Sequence, residues 1–187
     1  MTSFALFYNH LCLGDTIVMV SDFSATIKRW EMKDDVVAIY DEKDNVVGIN
    51  IFNTLNTLKI KALGLLHTVS KPVEEIVKDI VYEALGLEIE IEKNTYVLGK
   101  VISVEEKNIE VDINGNTIYC KSNSNVNEDD YVVVARNNER LPNGRLVKDV
   151  VPNGYGFITE IAFNATDSDL GKNIYWFQYL HLHVKYA

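Results

Sequence analysis

An α+β domain followed by an all-β barrel is the architecture this 187-residue sequence predicts, and three observations carry it. The first fifty residues hold two pairs of β-rich segments, each pair joined by a turn signal. One amphipathic helix follows over residues 70–86. After residue 95 the chain becomes a series of short strands with turns at regular spacing and no strong helix. The length suits one ordinary domain or two small ones. A hydrophobic content of 47% against 24% charged residues is enough to build cores and excludes wholesale disorder. The predicted domains are residues 1–92 and 93–187.

Taken in order, Ala5–Tyr8 and Thr16–Val20 are apolar β-formers separated by the turn pair Gly14-Asp15, and they read as a hairpin. Val36–Tyr40 runs into the polar cluster Asp41-Glu42-Lys43-Asp44-Asn45, and Val46–Phe52 returns as its partner. Ser70 then stands as an N-cap before Pro72, with Glu74 and Glu75 near the positive end of the helix dipole. Val73, Ile76, Val77, Ile80, Val81, Ala84 and Leu85 recur at spacings of three and four, which is one apolar helix face, and Gly86 supplies the stop. Residues 88–94 are charged and suit a linker, although their alternation also permits a strand.

Beyond residue 95 the expected strands are Tyr96–Val104, Ile109–Ile113, Thr117–Cys120, Tyr131–Ala135 and Phe157–Phe163. Asn114-Gly115 is the strongest hairpin signal in the chain, because a two-residue turn of the favoured hand needs positive φ at both positions. Pro142-Asn143-Gly144 and Pro152-Asn153-Gly154 mark further loops. Five strands in so short a span suit a small barrel of OB type. The pattern alone also admits an SH3-like barrel or a sandwich.

Charge and cysteine usage bound the function. With 27 acidic and 18 basic side chains the formal charge is −9, which works against phosphate binding by the molecule as a whole. The basic residues are unevenly placed, however: Arg136, Arg140, Arg145 and Lys148 face a single acid, Glu139, over residues 136–148. Cys12 and Cys120 build neither a disulfide framework nor a zinc site, which fits a reduced compartment. The N-terminal segment lacks a basic n-region and a cleavage site, and no run of about 18 apolar residues occurs, so a cytoplasmic location without membrane insertion is expected.

Three stretches then carry a family likeness. Phe7-Tyr8-Asn9 with Gly14-Asp15 resembles the opening of the stand-alone bacterial tRNA-binding-domain proteins of the YtpR type, and Asp35-Val36-Val37 through Gly48-Ile49-Asn50-Ile51-Phe52 resembles their second hairpin. In the C-terminal half, Val97–Val101, Cys120 with Asn125-Val126, Val132–Ala135, Pro142-Asn143-Gly144, Lys148-Asp149 and Gly156-Phe157-Ile158 continue the match. The resemblance implies an α+β N-terminal domain followed by an all-β OB-fold barrel, related to the tRNA-binding region of the phenylalanyl-tRNA synthetase beta chain. It implies non-catalytic binding of tRNA or other structured RNA, with no cofactor. The chain departs from the pattern where Lys121-Ser122-Asn123-Ser124 replaces the family's Gly-Ala-Pro, in a shortened 103–109 segment without the family's His-Pro, and at Glu160, where a Ser is expected.

In an OB barrel a nucleic acid strand crosses one sheet face, its backbone following cations while aromatic rings stack on bases. The candidate RNA-binding residues are Lys100, Lys121, Arg136, Arg140, Arg145 and Lys148 for phosphates, Asn123 and Asn125 for phosphate or base edges, and Tyr155 for stacking. Tyr119, Tyr131 and Phe157 lie in apolar strands and read as packing residues. His181 and His183 share a face if the tail is a strand, but a metal site needs at least a third protein ligand or an open catalytic position. His10 and His67 are isolated. No phosphate loop, dinucleotide fingerprint, zincin motif or nucleophile elbow occurs, so no enzyme is expected. Residues 174–184 are strongly aromatic and would be sticky if exposed, so they are expected to pack on the barrel, on the N-terminal domain or on a partner, a homodimer included. That tail, the net acidity and the departures favour an alternative, a barrel that has lost RNA and serves protein–protein interaction.

Overall fold

In the N-terminal half, period-two alternation sends one set of apolar side chains to a single sheet face. The strands are β1 (Thr2–Tyr8), β2 (Thr16–Val20), β3 (Ile27–Lys33), β4 (Val36–Asp41), β5 (Val46–Phe52), β6 (Gly64–Leu65) and β7 (Ile89–Ile91). They form one sheet in the order β3-β4-β5-β2-β1-β6, with β7 parallel to β1. The computed structural model describes residues 1–54, 58, 60, 64–66, 69–105, 108–148 and 155–174. The chain divides between Lys93 and Asn94 into two units, each with its own core.

Leu6, Tyr8, Ile17, Met19, Ile49 and Ile51 occupy the core face of the first unit, and the 15-residue helix α2 (Lys71–Leu85) lays Val77, Val81 and Ala84 against them. A short helix, α1 (His10–Leu13), sits between β1 and β2 where a plain turn is expected; the Asn9 side chain accepts from the N–H groups of Leu11 and Cys12 and so nucleates it. Gly86 ends α2 at φ 66°, its N–H donating to the Tyr82 carbonyl. Ser70 makes no side-chain cap, because Pro72 removes one of the N–H groups a cap would serve. The 88–94 segment includes a strand, β7, since Ile89 and Ile91 are both buried beside β1. β3 has no counterpart among the strands expected from sequence; almost every residue on it is exposed, so no burial period marks it.

The second unit is a closed five-stranded barrel, consistent with an OB-like barrel. β8 (Tyr96–Glu105), β9 (Asn108–Ile113) and β10 (Asn116–Ser122) form an antiparallel meander. β12 (Tyr155–Ile161) adds parallel to β10, β11 (Tyr131–Arg136) pairs antiparallel with β12, and β11 returns to β8 to close the ring. β13 (Asn173–Ile174) pairs antiparallel with the start of β8, at Tyr96 and Val97. The Asn114-Gly115 turn has φ 53° and 87°, as a two-residue hairpin of this hand requires. Gly156 is needed for close approach: a Cβ there would stand 2.6 Å from Val134 Cγ1 and 3.0 Å from Cys120 Sγ. Val132–Ala135 is buried on both faces, one in the barrel with Val111, Cys120 and Ile158, the other beneath Leu141 and Val147 of the following loop. That double burial explains its unbroken apolar run. Among the described residues no helix is long and apolar enough to cross a membrane.

Candidate nucleic-acid interface

Side chains on β10 alternate, so Ile118 and Cys120 turn inward while Tyr119 and Lys121 face out. The parallel pairing with β12 sets Lys121 beside Phe157. After Ser122 the chain leaves the sheet as a polar loop, Asn123–Asn127, held down by the buried Val126 and by Asn127 N–H donating 2.7 Å to Asp130 Oδ2. From the other side, the hairpin loop after β11 brings Arg145 over the Phe157 ring, its guanidinium carbon 5.4 Å from the centroid. Between them lies an open groove of about 720 Å³, floored by Val104, Ile109 and Phe157 and rimmed by Lys121, Asn123, Asn125, Asn127 and Arg145. No carboxylate lines it among the described residues.

The other predicted cations have different surroundings. Arg140 is 5% exposed; its N–H donates 2.8 Å to Asn94 Oδ1 and its Nη1 donates 3.2 Å to the Gly144 carbonyl. It stitches the 136–147 loop to the barrel, so it does not face a ligand. Arg136 leans on Glu139 at 3.1 Å and on the Thr95 carbonyl. Glu139 also accepts from Arg136 N–H at 2.6 Å and from Thr95, so this carboxylate organises the corner. Beside it the Tyr96 hydroxyl donates 2.6 Å to the Arg140 carbonyl, and burial raises the Tyr96 pKa. Lys100 stands between Asp129 at 3.2 Å and Asp167 at 3.7 Å, with Tyr131 beneath it, and its pKa is raised mainly by the hydrogen bond to Asp129.

The structure thus brings Lys121, Asn123, Asn125 and Arg145 together and leaves Lys100, Arg136 and Arg140 outside their groove. Lys148 is exposed at the end of its described segment. Tyr155 opens β12 opposite Tyr119, and its side chain lies outside the described residues, as do His67, His181, His183 and residues 175–187 of the aromatic tail. Phe157, read as packing, is half-buried and floors the groove. Asn127 and Ser124 also line it; the signal for them is the polar run 121–127 itself, in which Lys121, Asn123 and Asn125 are the residues named from sequence. Tyr119 is exposed beside the groove strand and hydrogen-bonded to Glu110, which raises its pKa. Cys120 faces the barrel interior, where burial pushes its thiol up to about 12 and keeps it protonated.

Compared with known proteins, residues 24–94 match the model of a domain of unknown function, DUF4479. The match begins just before β3 and ends at the boundary between the two units, so the barrel lies outside it. No curated protein matches the chain.

Proposed function

We propose that the barrel is an OB-fold module that binds RNA without catalysis, tRNA being the expected form, with a strand lying in the groove beside β10. The observation that carries this reading is the composition of that groove among the described residues: two cations, three asparagine amides, an accessible ring and no lining carboxylate, on a chain with a net charge of −9. Lys121 and Arg145 meet phosphates, Asn123 and Asn125 donate to phosphate or base edges, and Phe157 with the Arg145 plane offers a stacking surface. The strand order supports the same reading, since an OB barrel is a five-stranded Greek-key barrel that binds oligonucleotides on its sheet face and loops.

The test is fluorescence anisotropy with tRNA across a salt series, against duplex DNA of equal charge. Binding that prefers tRNA and weakens steeply with salt supports the proposal. Lys121→Ala with Arg145→Ala then lowers the magnitude of the salt slope by roughly 1.4, about 0.7 for each single-strand phosphate left without its cation. Absence of binding at low salt sinks it.

A second reading, a barrel serving protein–protein interaction, is favoured by one observation. Lys100 and Arg136 are each paired with carboxylates and Arg140 is buried, which leaves few cations for a phosphate backbone.

A further inference from the structure

We infer that β3 is a homodimer interface, at which two copies of the chain pair their β3 edges antiparallel about a two-fold axis through Trp30. Among the described residues β3 ends its sheet and pairs only with β4, so its outer backbone N–H and C=O groups form an open template. Its side chains are unusual for an edge strand facing water: Trp30 is 66% exposed, Met32 57% and Ile27 63%. Trp and Met are among the residue types that interface cores favour.

Charge selects both the occupant and the register. In an antiparallel two-fold pair one residue opposes its own copy, and overlap of the whole of Ile27–Lys33 makes that residue Trp30. Arg29 then opposes Glu31 of the second copy, and Glu31 opposes its Arg29, so two opposite-charge pairs flank a Trp–Trp contact. Lys28 opposes Met32, Ile27 opposes Lys33, and no like charges meet. Moving the axis to Arg29 sets arginine on arginine; moving it to Glu31 sets glutamate on glutamate and Arg29 on Lys33. Among registers that overlap at least five residues of the strand, only the centred one is free of like-charge pairs.

The strand is also shaped for this contact. Its register with β4 shifts between Ile27 and Arg29, and Lys28 is drawn to Asp44 at 3.3 Å, which leaves Arg29, Trp30 and Glu31 as regular, consecutive pairing positions. Within one copy Arg29 already bonds Glu31 and Asp44 and lies 3.7 Å over the Tyr40 ring, so its guanidinium is held at the edge before a partner arrives. The same charges on an edge discourage pairing with unrelated strands, whereas an isologous copy sets an opposite charge against Arg29 and against Glu31.

The experiment is sedimentation velocity of the full chain through the micromolar range, with circular dichroism of each variant. The expected result is a reversible dimer whose dissociation constant rises about tenfold with Arg29→Glu and again with Glu31→Arg, each of which turns attraction into repulsion at both pairs. An equimolar mixture of the two variants re-forms the dimer, because acids then oppose bases at both positions; a misfolded variant cannot produce that rescue. A wild-type chain that stays monomeric overturns the proposal. So does a dimer that neither substitution weakens, or a mixture no tighter than its components.

Discussion

Two arginine-bearing parts of the barrel show how differently one residue type is used. At the corner after β11, Arg140 is buried against Asn94 and the Gly144 carbonyl, and Arg136 is clamped by Glu139. A few residues further on, Arg145 reaches out of the same loop to the groove, beside Lys121 and over Phe157. The first pair of side chains directs its donors into the protein and serves stability. The groove pair is exposed, and no carboxylate lines the groove among the described residues. A count of basic residues in the sequence treats all four alike; only their donors' destinations separate them.

Substitutions break that comparison in a definite order. The largest effect is expected from Arg140→Ala, which empties a buried volume and strips the Gly144 carbonyl and its neighbours of a charged donor. It should cost about 3 kcal/mol, read as a lower urea midpoint. A loss below about 0.5 kcal/mol would show that the corner is not held by this side chain. Next comes Glu139→Gln, which keeps the shape but leaves an amide N–H facing the donors of Arg136 and Thr95. About 1–2 kcal/mol is expected by the same measurement. Lys121→Ala with Arg145→Ala should move stability by no more than about 0.5 kcal/mol, since both side chains are exposed, while flattening the salt dependence of tRNA binding. If the double variant instead unfolds the barrel, the division between structural and groove cations fails.

The smallest expected effect lies in the acid-rich turn near Lys100. Asp169 accepts from Lys172 at 2.8 Å and from Thr166 Oγ1 at 2.8 Å, and these bonds, the Lys172 one foremost, hold its pKa down to about 2. A depressed carboxylate stabilises the fold above its unfolded value of about 3.9, and that contribution disappears as pH falls through about 2. Asp169→Asn should therefore destabilise at neutral pH by well under about 1 kcal/mol, the site being more than a third exposed and screened. The difference from wild type should vanish near pH 2 in acid titrations followed by circular dichroism. A penalty that persists there would assign the effect to the hydrogen-bond geometry instead.

The two sheets contrast in the same way as the arginines. The barrel strands were legible because each has a buried face or a buried run, and Asn114-Gly115 announces its own turn. β3 was invisible because its burial does not alternate and its partner lies only on one side. The short helix after Asn9 was hidden for a different reason: a side-chain cap competes with a turn, and nothing in local composition says which wins. At the site, Lys121, Asn123, Asn125 and Arg145 were nameable as residue types, whereas the floor residue Phe157 read as packing.

What the sequence determined alone follows from short-range physics: the periods of the strands and of α2, the glycine stops, the hairpin turn, the net acidity and the local basic run. Each depends on neighbours a few residues away, so each is written in local order. The tertiary structure decided the parallel pairing of β10 with β12 and the closure of β11 on β8, contacts that link residues far apart in the chain. Those long-range pairings set Lys121 beside Phe157, carried Arg145 to the same groove and buried Arg140. A cation's use depends on which donors desolvation and pairing consume, and that is settled only when distant segments meet.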